Sequence, residues 1–478
     1  LGGGLDEVVA RVFESRVGVR WVAARMEGVM PREALRRVSE EAGGGLRRFA
    51  VGGDAPFVQY KVFELQYREE EDDTGSGDSM TMIVFRRGND PRERSSPDNV
   101  QVEQCHDFCA NLRASSAPAA AAIDAAWAVG AGGGDGGEGS SSDGEDDAVR
   151  AHYNERENFW NRNEDRHLLQ QKNTNNFLKS VLIASVVKPG CSVLDLACGK
   201  GGDLAKWSKQ GVRHYVGVDI AERSVKDALD RYSKALNIDF PAIWCVGSFV
   251  REGLLDKLDT VAPGIFFDAV SCQFALHYSW TSEANARAAL RNAAGRLKQG
   301  GYFIGITTDS NVLVRKLQEC EGLKFGNGLY SVEFIPEDGQ PPSAFDKTFS
   351  RSSAFGIRYK FFLKDAVDEI EECLVHFPTM RRLANEVGME LVEETNLIDY
   401  FEKATTQYNK KFENIELMRR MHVLDENGTM SYEQWEVIHL YKAFVMVKKE
   451  PLPRELCDKK WECVPGVSVL STADILHL

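Results

Sequence analysis

The chain has 478 residues, 43% of them hydrophobic, and a formal net charge of −14. The length exceeds one ordinary domain, and the apolar fraction suits a packed core. An acidic protein does not coat nucleic acid non-specifically, because phosphate neutralisation drives that binding, so a nucleic-acid role requires a local basic pocket. No apolar stretch approaches the roughly 18 residues of a membrane span, and no membrane association is expected. Scattered cysteines suit reduced thiols of the cytosol or nucleus. The opening LGGGLDEVVARVF lacks a signal peptide's basic start and apolar core, and its first residue is Leu1, as in a truncated or incompletely assembled sequence.

Residues 1–115 read as an α+β part of unknown function. Helical spacing of Val19, Val22, Met26, Met30, Ala34 and Val38 predicts a helix within 18–42, and 57–67 and 79–86 read as a strand pair around the acidic run EEEDD at 69–73. Cys105, His106 and Cys109 have no second pair at zinc-ligand spacing, so no metal site is expected. Residues 116–149 are rich in Ala, Gly and Ser and then acidic, which predicts a linker with little order; its DGEDD run at 143–147 reads as a solvated loop.

From 150 to about 450 the pattern alternates. A helix through NNFLKSVLIASVV precedes the strand CSVLDLA, and Val225, Leu229, Tyr232 and Leu236 mark the stripe of a later helix. IWCVG, FFDAVSCQFALHY and GYFIGITTD read as further strands, and ANARAALRNAAGRL as a helix stopped by the GG pair at 300–301. MELVEETNLIDYF and IHLYKAFVMVKK read as the last strands, with a charged helical insertion over 402–433 between them and a tail over 451–478. Strands alternating with helices imply an α/β fold, a doubly wound, mostly parallel, Rossmann-like sheet.

The most specific local signal is VLDLACGKGGD at 193–203, followed by Asp219 at the end of YVGVD. A buried strand ends in a turn with little side chain and a helix starts at once, so backbone N–H groups face the strand's carboxyl end. Gly199, Gly201 and Gly202 would let a ligand approach, and Asp219 would accept hydrogen bonds from a ribose diol. The loop is not the G-x-G-x-x-G of dinucleotide sites. It resembles motif I of S-adenosylmethionine-dependent methyltransferases.

HYNERENFW, NTNNFLKSVLI, VLDLACGKGGDLAKW, VDIAERSVKDALDRY, SCQFALHYSW, GYFIGITTDSN, ECLVHFP and EQWEVIHLYKAF occur in this order. Together they resemble the eukaryotic mRNA cap guanine-N7 methyltransferases over about 151–450. The resemblance implies a seven-stranded methyltransferase sheet and S-adenosylmethionine as cofactor. It also implies methyl transfer to the N7 of the terminal guanosine of capped mRNA, a nuclear role, and association with other capping enzymes or an activating subunit through 402–433 or the N-terminal part. By resemblance, Lys179, Ala197, Asp219, Ser248, Gln273 and Tyr278 occupy cofactor positions. Asn175, Asn176, Lys200, Lys206, Arg231, His277, Glu372 and Tyr441 occupy cap positions.

These residue types suit the chemistry. Lys200, Lys206 and Arg231 can pair with a triphosphate bridge, aromatic rings can stack on a purine, and Glu372 can accept the N1–H and N2–H of guanine. Guanine N7 already has a free lone pair, so no acid, base or nucleophile is needed; alignment and proximity carry the rate. Cys198 and Cys272 read as packing, since neither has a base beside it. Without the resemblance, the lysines and arginine would read as solvated surface, Glu372 as an exposed helix residue and Tyr441 as core. Ala197 stands where the family has a glycine and Ser248 where it has an acid, so weaker cofactor binding is expected; TTDSN also lacks a usual proline. A non-catalytic cap-binding scaffold and a methyltransferase for another substrate remain as alternatives, while the absence of a K-x-D-G signature gives guanylyl transfer no support.

Overall fold

The computed structural model describes residues 143–155 and 475–477, and 168–452 apart from breaks at 239, 262–263, 338, 350–352, 365, 407–410, 426–427 and 429, together with strands at 26–31, 57–65 and 80–86. The chain divides into two units, residues 1–108 and 109–478.

The first unit contains β1 (Met26–Pro31), β2 (Phe57–Leu65) and β3 (Met80–Arg86), an antiparallel sheet in the order β1-β2-β3. β2 and β3 pair from Gln59↔Arg86 to Leu65↔Met80, the hairpin expected around the acidic run. The helix expected within 18–42 is replaced at 26–31 by an edge strand in register with β2. Gly28 and Pro31 oppose a helix there, whereas an edge strand tolerates a terminal proline. The EEEDD run and Cys105, His106 and Cys109 lie outside the described residues.

The second unit begins with α1 (Asp143–Glu155), α2 (Leu169–Val186), β4 (Ser192–Leu196), α3 (Leu204–Lys209), β5 (His214–Asp219), α4 (Glu222–Lys234) and β6 (Ala242–Val246). It continues through α5 (Leu254–Val261), β7 (Phe267–Gln273), a 3₁₀ turn (Leu276–Ser279), α6 (Glu283–Ala294), β8 (Leu297–Thr308) and α7 (Ser310–Glu319). Then come β9 (Lys324–Gly326), β10 (Tyr330–Phe334), β11 (Arg358–Leu363), β12 (Val367–Cys373), α8 (Phe377–Glu386) and β13 (Met389–Asn396). The last elements are α9 (Leu397–Thr406), α10 (Lys411–Arg420), α11 (Tyr432–His439), β14 (Tyr441–Lys448) and β15 (Leu476–His477).

The main sheet has the order β13-β14-β8-β7-β4-β5-β6-β15. β14 runs antiparallel to both its neighbours; the pairs from β8 across to β15 are parallel. Seven strands are thus those expected, and the eighth is a two-residue addition from the tail. Every residue of β4 and β5 is buried, because helices cover both faces, so these strands read as apolar runs rather than alternating ones. Leu194, Val216, Val270 and Phe303 form the core with Ala286, Ala289 and Ala293 of α6, whose small side chains let that helix lie close to the sheet.

Several local expectations change. The acidic run at 143–147 opens α1 instead of forming a loop, as carboxylates at a helix N-terminus favour. Leu236 is fully exposed beyond the end of α4, so the stripe stops before it. α6 ends at Ala294 with Gly295 in right-handed conformation, and the GG pair lies inside β8, where Gly300 has φ +78°. LIDYF begins α9 instead of extending a strand, and α10 and α11 pack against α2 and α9. The largest difference is a second, antiparallel sheet, β12-β11-β10-β9, between α7 and α8. Its strands alternate, with Tyr330, Val332, Phe334, Tyr359, Phe361 and Leu363 facing inward.

At the amino ends of the main strands, His214 Nδ1 lies 3.0 Å from Ser192 Oγ, and burial, with Arg213 and Lys298 nearby, lowers its pKa to about 4. Burial likewise lowers His376 to about 4. The unfolded chain then binds more protons than the fold between about pH 4 and 6.5, so stability is fully present above that window and falls as the pH drops through it. His214→Asn should remove roughly 2 kcal/mol of the stability difference between pH 7.5 and 4.5, measured by urea unfolding. An unchanged difference would refute the neutral, buried imidazole.

Candidate functional site

A cavity of about 760 Å³ opens at the carboxyl ends of β4, β5, β6 and β7. This is where the sheet order reverses: the chain moves from β4 outward to β5 and β6, then returns to the other side of β4 as β7 and β8. Loops leaving β4 and β7 diverge there and leave a crevice.

The turn after β4 forms the floor. Ala197, Gly199 and Gly201 have φ of +56°, +54° and +67°. A side chain on Gly199 or Gly202 would meet nothing within 4 Å among the described residues, so the backbone there is open to a ligand. Gly201 serves packing instead, since a Cβ would lie 2.7 Å from Leu204 Cδ1 and 3.2 Å from Ala228 Cβ. Asp219 ties the turn to β5: its Oδ2 accepts the Gly199 N–H at 2.7 Å and its Oδ1 the Ala221 N–H at 2.9 Å. Burial raises the Asp219 pKa and these donors oppose the rise. Each oxygen retains acceptor capacity for a ligand hydroxyl.

Beside the turn lies a buried ionic cluster. Lys179 Nζ and Lys206 Nζ each lie 2.7 Å from Asp203 Oδ1, and Lys206 also donates to Asn176 Oδ1 at 2.9 Å. Burial alone would raise the Asp203 pKa, but the two ammonium groups outweigh it and hold the carboxyl below its usual range. The neighbouring Asp195 is pushed up by burial and by Asp203, while accepting hydrogen bonds from Tyr215 and Trp207. Burial also pushes up the thiols of Cys198, Cys245 and Cys272, which act as packing groups.

The opposite wall comes from the end of β7 and from the second sheet. Among the described residues Gln273 Oε1 is buried without a hydrogen-bond partner, and Phe274 adopts φ +59°. A bulky residue rarely takes that conformation, and such strain concentrates at ligand sites. The His277 and Tyr278 rings lie 4.4 Å apart, and His277 Nε2 is 3.4 Å from Glu372 Oε1. The Tyr441 ring stands edge-on to Phe274 at 5.0 Å.

All six expected cofactor residues, Lys179, Ala197, Asp219, Ser248, Gln273 and Tyr278, line this cavity. Of the expected cap residues, Glu372 lines it; His277 and Tyr441 pack against its wall, and Asn176 and Lys206 join it through Asp203. Asn175 lies on α2 with a buried Oδ1 that has no hydrogen-bond partner among the described residues. Lys200 and Arg231 are outside the wall: Lys200 pairs with Asp227 of α4 at 3.0 Å, and Arg231 lies one turn further along that helix. The exposed-helix alternative for Glu372 is overturned, since it sits 4% exposed on β12.

Two contributions escaped the sequence reading. Asp203 holds both lysines, and its place in the GGD turn was the available signal. α1 supplies Val149, His152 and Tyr153 to the cavity. The Tyr153 hydroxyl lies 3.1 Å from that of Tyr278, and Asn154 Oδ1 accepts the Arg223 N–H at 3.0 Å, which anchors α1 to the start of α4. HYNERENFW was visible as a block, but nothing local placed it over the cavity.

The left-handed conformation costs an alanine about 1–2 kcal/mol that glycine avoids. Ala197→Gly should therefore raise stability by about 1 kcal/mol, read from denaturant midpoints. A destabilised variant would show that the methyl group's packing outweighs the strain.

The sequence matches the family described as mRNA (guanine-N(7))-methyltransferase domain over residues 138–449. mRNA cap guanine-N(7) methyltransferase 1 of Oryza sativa is 43% identical over 318 residues, covering 64% of this chain and 82% of that one. The protein of the same name in Arabidopsis thaliana is 43% identical over 315 residues, covering 63% and 81%. mRNA cap guanine-N(7) methyltransferase of Saccharomyces cerevisiae is 36% identical over 275 residues, covering 56% and 62%. The chain belongs to the mRNA (guanine-N(7))-methyltransferase family.

Proposed function

We propose that this chain transfers a methyl group from S-adenosylmethionine to N7 of the terminal guanosine of capped mRNA. The observation that carries the reading is a buried carboxylate, Glu372, set beside His277 in the wall of the cavity that also holds the glycine turn and Asp219.

The cavity's residues fit the cofactor. Asp219 has acceptor capacity for a ribose diol, Gly199 and Gly202 leave the backbone accessible, and the unpartnered Gln273 oxygen awaits a donor. Lys179 and Ser248 add polar groups to the lining, with Tyr278 as an aromatic wall. S-adenosylmethionine supplies an electrophilic methyl group on a sulfonium.

In this reading Glu372 accepts guanine N1–H and N2–H, His277, Tyr278 and Tyr441 frame the base, and Lys200, Lys206 and Arg231 meet the triphosphate bridge, with Asn175 and Asn176 beside them. The buried carboxylate also favours the positive charge that develops on the ring. No residue has to move a proton. Holding the two reactants in line and close together is worth about 7–11 kcal/mol. The strained Ala197 and the uncharged Ser248 favour weak cofactor binding, the feature a non-catalytic scaffold would share. The role implies work in the nucleus, with residues 402–433 or the N-terminal part as the region that would meet an activating subunit or another capping enzyme.

Methyl transfer from labelled S-adenosylmethionine to GpppG-capped RNA, followed by identification of 7-methylguanosine, tests the assignment. Glu372→Ala should lower kcat/KM at least about a hundredfold, because two hydrogen bonds to a buried charged acceptor are lost. A fully active variant removes the base-reading role. A parent chain that binds caps without product formation selects the scaffold reading.

A further inference from the structure

Glu372 can read guanine only if its two oxygens face the base in one orientation, and a glutamate side chain has rotatable bonds that must be restrained for this. The restraint is visible in the small sheet. Tyr359 of β11 is the direct cross-strand partner of Glu372 on β12, so both side chains leave the same face. Tyr359 is completely buried, and its ring lies 5.6 Å from that of Phe334 on β10. Its hydroxyl oxygen is 2.8 Å from Glu372 Oε2 and 3.1 Å from Thr308 Oγ1 at the end of β8. A phenol has one proton, and an ionised carboxylate has none to give. The phenol therefore donates to Glu372, and the Thr308 hydroxyl is left to donate to the phenol. Burial, with the Glu372 charge, raises the Tyr359 pKa well above its usual value, which keeps that donor protonated. The other carboxylate oxygen, Oε1, faces His277, whose Nδ1 lies 3.4 Å from Thr307 Oγ1. The paired threonines at the end of β8 thus support both sides of the carboxylate.

We propose that Tyr359, backed by Thr308, is the positioning residue that fixes how Glu372 presents its carboxylate to the cap guanine. The proposal rests on the guanine-reading role given to Glu372 above. A guanine offers that carboxylate N1–H and N2–H; hypoxanthine offers N1–H alone. Correct alignment should therefore register as a preference for a guanosine cap over an inosine cap.

The test compares kcat/KM of the parent, Tyr359→Phe and Thr308→Val on GpppG- and IpppG-capped RNA, with the S-adenosylmethionine dissociation constant measured by calorimetry. Tyr359→Phe keeps the packed ring and removes only the donor. It should lower kcat/KM for the guanosine cap about tenfold, mostly through KM. The inosine cap should change less, so the preference shrinks, while the S-adenosylmethionine dissociation constant stays within about twofold. Thr308→Val should shift the preference the same way by less, and it decides the matter if Tyr359→Phe shows no cooperative unfolding. A preference equal to the parent's in the folded variants, or equal losses for caps and cofactor, overturns the proposal and leaves Tyr359 as packing. A parent inactive on the guanosine cap instead overturns the underlying functional assignment, and the positioning role with it.

Discussion

The reversal of strand order at β4 is the constraint on which the rest of the molecule depends. β5 and β7 flank β4 and their following segments lead away on opposite sides, so the turn at Ala197–Gly202 faces open space. Asp219 stabilises that geometry by accepting the Gly199 N–H, which joins the end of β5 to the turn after β4. One carboxylate therefore fixes the loop and keeps acceptor capacity for a ligand hydroxyl. The same crevice brings the ends of β6 and β7 within reach, and with them Ser248, Gln273 and Tyr278.

The second sheet supplies what the main sheet lacks. A parallel sheet with helices on both faces has an open carboxyl edge but no lid. β11 and β12 line the cavity at that edge, and Glu372 is buried on β12. A carboxylate in such a place is costly unless it is hydrogen-bonded. Tyr359 gives it a donor from the neighbouring strand, and His277 faces the other oxygen. Its cost is thus partly offset by groups that also restrict its orientation.

Polar groups near the cavity follow the same logic. Lys179 and Lys206 are held together by Asp203, so two cations share one buried anion without mutual repulsion dominating. Backbone strain is concentrated in the same region, at Ala197 and Phe274. Strained residues persist where surrounding packing over-determines them, and both lie beside dense core: Ala197 against the main cluster, Phe274 against Tyr441.

The sequence by itself determined the doubly wound sheet, the glycine turn, the acid at the end of β5 and the family, because these reside in contiguous segments. Period-2 and period-3.6 patterns locate elements, and VLDLACGKGGD carries its own turn chemistry. It misjudged boundaries where neighbours decide: α1 exists because Tyr153 and Asn154 dock on Tyr278 and Arg223, contacts made across more than 60 residues of chain. The small sheet was illegible because its burial depends on what its strands cover, which no local pattern states. Tertiary structure alone decided that Glu372 is buried, that Tyr359 donates to it, and that Lys200 pairs with Asp227 outside the cavity wall. The physical reason is that a side chain's charge, orientation and exposure are set by partners distant in sequence, which local pattern cannot specify.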